Sequence, residues 1–480
     1  MLKIIVELSK YLIVILMMLF TLESFWFFRK RDEEDKKHIL RKQVVIMIFM
    51  DLTAFAVMYL QKLEFTIIIM FLEVVGFIVV LQILYRIFYR KASMILVNNM
   101  CMLLSCGFIM IGRLDFEKAQ KQLLMVIIGA AFSLLVPVVI RKMKLLRKLT
   151  WLYAIAGMLM LMAVLALAAI SGGAKLSLEI GGVTFQLSEF AKITFVFFVA
   201  GMLREDTSFR TIVITTAVAG AHVLILVVSK DLGSAVVFFV AYVVMVYVAT
   251  QNVLYALAGL AGGSAAAVLA YKIFSHVQQR VIAWKDPFSV YENEGYQIVQ
   301  ALFAIGAGGW FGTGLYQGSP NSIPVAMKDS IFAAICEELG GIFAICMILI
   351  CMNCFLMIVN ISMRMSNKFY KLIAIGLGVE YAFQVFLTIG GSTKFIPLTG
   401  ITLPLVSYGG SSVICTIIVF AIIEGLYILR EDEGEELEKQ KNNNLKRQPA
   451  KQKRAKGNAK EREKSLEERI EEQTEQSLRW

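Results

Sequence analysis

Apolar runs of about 20 residues recur along the chain, and short charged stretches separate them. A run of this length crosses the hydrocarbon core of a bilayer as a helix that satisfies its own backbone polar groups. The sequence therefore predicts an all-α polytopic membrane protein with about 13 transmembrane helices. We place them near residues 3–28, 43–61, 64–88, 94–112, 121–140, 150–170, 188–203, 210–228, 232–250, 252–273, 332–358, 369–389 and 407–428.

The net charge of +11 is concentrated in alternate loops rather than on one face of a soluble domain. The basic segments are residues 29–42, 85–91, 141–148, 204–210 and 361–371 and the tail after 430. Because Lys and Arg favour cytoplasmic loops, this alternation predicts an extracytoplasmic N-terminus and a cytoplasmic C-terminus in the cytoplasmic membrane. The charge is thus an orientation signal, and it does not indicate nucleic-acid binding.

The same orientation brings several polar segments to one extracytoplasmic face. They are the Gly-rich loop 171–188, Asp231, the large loop 274–331 and the Pro-containing segment 390–406. A single active site on that face is therefore expected. The seven cysteines lie in or beside apolar runs without metal-ligand spacing, and the three histidines form no sequence cluster. No zinc site and no Ser-His triad is predicted.

Asp329 is the leading candidate for a catalytic residue. It ends the large loop, just before the chain re-enters an apolar helix, and Glu337 and Glu338 follow it. An acid at a membrane boundary is costly unless it is solvated, paired or used in chemistry. The alternative interpretation is that Asp329 caps the next helix and that the two glutamates are structural.

Several motifs carry a resemblance to a known family. They are Gln186 to Lys192, Lys230 to Gly233, Arg280 to Pro287, Gly295 to Gln297, Ala304 to Gly309, Asp329 to Gly340 and Pro397 to Ser412. Over about residues 94–428 the chain resembles the SEDS family of shape, elongation, division and sporulation proteins, the FtsW, RodA and SpoVE group. Leu187, Val325, Met327, Lys328 and Ser330 depart from the usual motif residues.

The resemblance implies a ten-helix peptidoglycan glycosyltransferase that polymerises lipid II beside a class B penicillin-binding transpeptidase, with Asp329 as its catalytic residue. Three domains are then expected: a three-helix extension at residues 1–91, the membrane core at 92–430 and a charged tail at 431–480. The composition of the tail predicts disorder, with a possible helix at 458–474.

The reaction requires a base and positive charge. A carboxylate near a low-dielectric boundary suits the base, because burial raises its pKa toward neutrality. Lys328, Arg280, Lys394 and Lys192 are candidates to stabilise the pyrophosphate leaving group, directly or with a divalent cation such as Mg²⁺ or Mn²⁺. One base and an activated leaving group indicate a single displacement with inversion.

Three more residues are candidates for substrate binding, and each has a structural alternative. Asp231 is placed either to bind substrate or to cap a helix, and Glu337 either to bind substrate or to hold a loop. Ser411 is placed either to bind substrate or to satisfy backbone in an irregular segment. Lys192 and Glu189 lie one helical turn apart and are able to pair.

Two other functions stay open from the residues. A lipid II flippase or lipid carrier needs a polar path across the bilayer, to which Asp51, Glu73, Lys192, Asp231 and Glu380 contribute. A non-catalytic scaffold of the cell-wall machinery would recruit partners through the N-terminal helices and the tail.

Overall fold

The computed structural model describes residues 2–170, 178–180, 183–292 and 295–477. Within these ranges the chain is almost wholly helical. The helices are α1 (Leu2–Arg29), α2 (Glu33–Lys62), α3 (Phe65–Phe88), α4 (Met94–Leu114), α5 (Phe116–Ser133), α6 (Val136–Lys142), α7 (Thr150–Ile170), α8 (Leu187–Leu203), α9 (Phe209–Val228), α10 (Leu232–Thr250), α11 (Val253–Ile273), α12 (Ser275–Lys285), α13 (Tyr296–Gly308), α14 (Ile331–Arg364), α15 (Lys368–Ser392) and α16 (Gly410–Ser477). Two 3₁₀ turns, Lys144–Arg147 and Pro320–Ser322, lie between them.

Twelve of the described helices are long and apolar enough to cross a membrane. They correspond to twelve of the predicted spans, and the remaining prediction corresponds to α8, which has 17 residues. The all-α membrane fold is therefore confirmed. An antiparallel hairpin, β1 (Leu178–Ile180) with β2 (Val183–Phe185), was not predicted, and it lies in the loop before α8.

The large loop and the tail contain more helix than their composition suggests. The loop 274–331 holds α12 and α13, whereas residues 393–409 form the expected irregular segment. The chain divides into two compact units, residues 1–428 and 429–480. In the second unit the described residues are helical through Ser477, and this helix includes the stretch 458–474 for which a helix was expected. Its Glu, Lys, Arg and Gln residues are strong helix formers even without a core to pack on.

Helices α4 and α11 mark the two extremes of packing in the first unit. Every residue of α4 from Ile95 to Gly112 is buried, as expected for a helix surrounded by others on all sides. By contrast, α11 has no buried residue. The bundle is thus centred on α4, and α11 lies at its edge.

The first two helices are joined to the core by buried hydrogen bonds. Gln43 on α2 donates to Ser24 on α1 at 2.8 Å, and Ser24 donates to Asn99 on α4 at 3.1 Å. Asn99 in turn donates to Asn353 on α14 at 2.7 Å. Polar groups buried in a membrane bundle are stable only when paired, so this network fixes the register of these helices.

Two glycines allow α13 and the following turn to approach α14 closely. A Cβ on Gly308 would lie 1.9 Å from the carbonyl oxygen of Cys336. Gly340 has φ +90°, and a Cβ there would lie 2.4 Å from the nitrogen of Gly312. The Gly-rich segment at 306–314 therefore serves helix packing.

Replacing Gly308 with Ala should destabilise the protein by about 2–3 kcal/mol, because the added methyl group meets backbone rather than a movable side chain. Gly306→Ala is the matched control, since nothing lies within 4 Å of a Cβ at that position of the same helix. Thermal unfolding of the detergent-purified variants checks this. Equal melting temperatures for the two variants would contradict the close approach.

Candidate active site

Asp329 lies at the junction between the large loop and α14. The residue at the N-cap of α14 is Ser330, and it makes no side-chain capping bond. Among the described residues the Asp329 carboxylate has no recorded hydrogen-bond partner, so it does not cap the helix. Its side chain is half-buried and remains available for chemistry.

The backbone around Asp329 is held in place by the segment that follows α15. Three consecutive carbonyl groups accept hydrogen bonds from this segment. The bonds run from Tyr408 N to Met327 O (2.8 Å), from Ser407 Oγ to Lys328 O (2.6 Å) and from Ser392 Oγ to Asp329 O (3.1 Å). The motifs at 329 and at 392–408 thus form one structure, in which the carboxylate is preorganised.

Arg280 and Asp329 both approach Gly400. Arg280 Nη1 donates to the carbonyl oxygen of Thr399 at 2.9 Å. A Cβ built on Gly400 would lie 3.6 Å from Asp329 Oδ2 and 3.8 Å from Arg280 Nη2. Gly400 has φ +76° and is exposed, so the backbone beside these two side chains is open to solvent.

The environment tunes the acidity of both groups. Burial raises the pKa of Asp329 to about 6, against the opposing influence of Lys328 and Arg280. Burial also lowers the pKa of Arg280, which Asp231 and Asp329 partly offset. A carboxyl group with a pKa near the working pH is well suited to general-base catalysis.

An apolar cavity of about 450 Å³ adjoins this centre. Its wall is formed by α9, α10, α11, α12 and α15 and by residues 396–399, and Arg280 and Thr399 are among its lining residues. Because α11 is the least packed helix, one side of the cavity is closed by a helix with few contacts. The cavity has the shape and polarity of a site for a hydrocarbon chain.

Asp231 has a structural role. It caps α10, with Oδ1 accepting from Ser234 N at 3.1 Å. Its Oδ2 accepts from the side chains of Ser234 (2.9 Å), Ser188 (3.2 Å) and Gln186 (3.2 Å). The carboxylate is therefore occupied, which favours the capping alternative over direct substrate binding.

Lys192 is buried inside the bundle. It pairs with Glu189 at 2.7 Å and donates to Gln384 at 2.6 Å. Lys328 and Arg280, not Lys192, are the cations that act on the Asp329 carboxylate. The structure thus separates Lys192 from the leaving-group candidates and supports the pairing with Glu189.

Three other candidates hold loops. Glu337 Oε1 accepts from Ser319 N at 2.7 Å, and Ser411 Oγ accepts from Gln186 N at 2.9 Å. The carbonyl oxygen of Lys394 accepts from Trp284 Nε1 at 3.1 Å. For Ser411 this bond favours the structural alternative, whereas Glu337 keeps Oε2 without a hydrogen-bond partner among the described residues.

Two residues beside Arg280 were missed by sequence reasoning. His276 lies one turn before Arg280 on α12, and Lys230 lies in the turn between α9 and α10. Burial, followed by the charges of Arg280 and Lys230, lowers the pKa of His276. The four-residue spacing of His276 and Arg280 was the available signal, but the position of Lys230 depends on tertiary packing.

The residues offer no protein cage for a metal ion. Among the described residues, no group of three or more His, Cys, Asp and Glu side chains is placed to hold one. Mg²⁺ commonly binds through one or two carboxylates together with substrate phosphates, so Asp329 with a bound diphosphate is the set that would hold it. The groups of the protein that take part in the reaction are side chains.

The similarity of the chain to known proteins covers the residues of this site. A family model described as cell cycle protein, for FtsW, RodA and SpoVE, matches residues 91–431. The chain is 34% identical to the peptidoglycan glycosyltransferase RodA of Mycobacterium tuberculosis, covering 70% of this chain and 78% of that protein. It is 32% identical to the probable peptidoglycan glycosyltransferase FtsW of Saccharophagus degradans, covering 70% and 92%.

Two solved structures share the fold. The first is a chain from a peptidoglycan synthase complex described as coordinating polymerisation and crosslinking, with a TM-score of 0.58 and 21% identity over 71% of this chain and 98% of that one. The second is the rod shape determining protein RodA of Thermus thermophilus, with a TM-score of 0.53 and 21% identity over 71% and 97%.

Proposed function

The chain belongs to the FtsW, RodA and SpoVE family of cell cycle proteins, and we propose that it is a peptidoglycan glycosyltransferase that polymerises lipid II with Asp329 as general base. The observation that carries this proposal is the Asp329 carboxylate itself. The backbone of Asp329 is held by hydrogen bonds, its carboxylate has no hydrogen-bond partner among the described residues, and it lies near Gly400 together with Arg280, which lines the apolar cavity. Lipid II polymerisation by wild type and Asp329→Asn tests the proposal.

The proposed step is a single displacement at an anomeric carbon. The 4-hydroxyl of the acceptor sugar loses its proton to Asp329 as its oxygen forms the new bond to the donor carbon. The bond from that carbon to the diphosphate oxygen breaks, and the lipid diphosphate leaves with the electron pair. Arg280 and Lys328 stabilise the developing charge, and attack from the opposite side inverts the centre.

The amphiphilic substrate explains why an apolar cavity lies beside a charged site. A polyprenyl tail of a lipid-linked sugar occupies the cavity next to α11, while the diphosphate and sugars lie near Arg280 and Asp329. Burying the tail holds the anomeric carbon near the base, which contributes the orientation that the reaction needs.

The proposed topology places the site at the outer face of the cytoplasmic membrane. Val6 near the start of α1 packs against Gly314, and Tyr11 packs against Phe311 at a ring distance of 5.4 Å. The beginning of α1 therefore lies on the same side as the Asp329 loop, which supports an extracytoplasmic N-terminus and a cytoplasmic C-terminus. The proposed domains are residues 1–91, 92–430 and 431–480.

A class B penicillin-binding transpeptidase is the proposed partner. The fold is shared with a chain of a synthase complex that couples polymerisation to crosslinking, which supports this assignment. A flippase is less well supported, because Glu73 is exposed and Asp51 accepts from Ser105 within the N-terminal part of the bundle. Neither group joins Lys192 and Glu380 in a polar path.

The rate of polymerisation should depend on pH through Asp329. A base must be deprotonated to act, so kcat/KM should fall about tenfold per pH unit below about 6 and level off above it. Because Lys328 lowers the pKa of Asp329, Lys328→Ala should move the profile to higher pH. Lys285→Ala in the same loop is the control. A profile that is identical in all three proteins would contradict the assignment of the base.

A further inference from the structure

Arg280 lines the apolar cavity, and the charges of Arg280 and Lys230 both act on His276. Val227 on α9 and Leu232 on α10 line the cavity, and Lys230 lies in the turn between them. Val277 and Arg280 on α12 line it too, and His276 immediately precedes Val277. Both the turn between α9 and α10 and the helix α12 therefore carry basic residues beside positions that line the cavity.

The cluster is not explained by internal pairing. His276 Nε2 is buried and has no hydrogen-bond partner among the described residues. The described residues show no ion pair for Lys230, whose backbone adopts φ +64° in an exposed turn. A buried ring nitrogen without a partner is costly unless a ligand completes it.

Two acidic residues lie near the cluster, and both act on Arg280. Asp231 follows Lys230, but its oxygens accept from hydroxyl, amide and backbone donors and not from the basic side chains. Asp329 Oδ2 and Arg280 Nη2 both lie within 4 Å of a Cβ built on Gly400, and Asp329 is the proposed base. Arg280 Nη1 donates to the carbonyl oxygen of Thr399, and Nη2 lies 3.8 Å from a Cβ built on Gly400.

We propose that His276, Lys230 and Arg280 form the binding site for the diphosphate of a lipid-linked substrate. The inference rests on the proposed function, since it deepens the assignment of the leaving group. The lipid tail lies in the cavity, the two phosphates contact the three basic side chains, and the anomeric carbon lies between them and Asp329. Arg280 and Lys230 supply fixed charge, and His276 Nε2 supplies a hydrogen bond.

Binding of an anion should be linked to protonation of His276. Without a ligand, burial and the neighbouring cations Arg280 and Lys230 lower the pKa of His276 and keep the ring neutral. A bound diphosphate offsets both cations and favours the imidazolium form, so the site takes up a proton on binding. Binding is therefore tighter at lower pH by up to about tenfold per pH unit over the interval between the free and bound pKa values.

The test measures binding of inorganic pyrophosphate by calorimetry at pH 6 and pH 7.5, on the full chain carrying Asp329→Asn so that no turnover occurs. In this background His276→Gln should lose most of the pH dependence of binding that the parent protein shows. Pyrophosphate itself also ionises over this range, but that contribution is the same for every variant and cancels when the variants are compared. Lys230→Ala should weaken binding about tenfold at both pH values. Lys272→Ala, an exposed charge loss nearby on α11, is the control and should bind as the parent does.

Undecaprenyl diphosphate in place of inorganic pyrophosphate identifies the source of the group. Tighter binding of the lipid, lost with Ala266→Trp in the cavity, supports a lipid diphosphate. Equal affinities of the parent, His276→Gln and Lys230→Ala for pyrophosphate overturn the site, even if the wild type polymerises lipid II. Conversely, the expected pyrophosphate binding without polymerisation by wild type overturns the proposed function and leaves the site in place.

Discussion

Replacing Asp329 with Asn should abolish lipid II polymerisation and leave the fold intact. The amide has nearly the same shape as the carboxylate but does not accept the proton of the sugar hydroxyl, so the rate should fall about 10²–10⁴-fold. The hydrogen bonds that hold residues 327–329 use backbone carbonyl groups and are unaffected by the substitution. The measurement is glycan-chain formation from fluorescent lipid II with a class B penicillin-binding partner.

Glu292→Gln is the matched control, because it removes an exposed carboxylate from the same loop. It should polymerise at the wild-type rate. Glycan chains from Asp329→Asn at the wild-type rate would place the base elsewhere. If neither the wild type nor Asp329→Asn forms glycan chains, although both are folded and bound to the partner, the result would favour the scaffold or flippase alternatives.

Protein stability provides an independent check on the state of Asp329. Burial raises its folded pKa to about 6, above the value of about 3.9 expected in the unfolded chain. The folded state therefore holds its proton more tightly, and the wild type should lose stability as the pH rises from about 4 to about 6. Asp329→Asn lacks this loss. Melting curves across that range separate a poised base from an ordinary exposed carboxylate.

The membrane fold was predictable because its signal is local. The length and polarity of each apolar run determine whether a segment spans a bilayer, and the neighbours of the segment have little influence. The position of Asp329 was predictable for a similar reason, since an acid directly before an apolar helix is visible in sequence. The contact of Asp329 with Gly400 and Arg280 was not, because it joins segments far apart in the chain.

The roles of the other candidates depend on tertiary contacts. Asp231 is a helix cap whose further partners, Ser188 and Gln186, lie more than 40 residues earlier in the chain. A role for His276 becomes apparent only in the folded protein, where Arg280 and Lys230 act on it. For the tail, the low hydrophobicity of the sequence indicates that a core is lacking. It says little about the local helix propensity of the same residues.

Breaking the buried ion pair between Arg113 and Glu338 by removing one partner should strongly destabilise the protein. Arg113 ends α4, and its Nε and Nη2 donate to Glu338 Oε1 at 3.0 and 2.9 Å. Tyr316 donates its backbone N–H to the same oxygen at 3.2 Å, and its ring lies 4.1 Å from the guanidinium carbon. The pair thus joins α4, the loop before Asp329 and the first turns of α14.

Arg113→Met should destabilise the protein by about 3–5 kcal/mol, because it leaves the fully buried carboxylate of Glu338 without its cation. The double variant Arg113→Met with Glu338→Leu should regain most of this stability, since no buried charge remains. Thermal unfolding of both variants measures the difference. An equally low melting temperature for the double variant would show that packing of the long arginine side chain matters more than the charge. Polymerisation should fall in the restabilised double variant, because the loop that precedes Asp329 keeps the bonds of Thr313, Gly314 and Ser319 to α14 but loses the bond from Tyr316 to the Glu338 side chain.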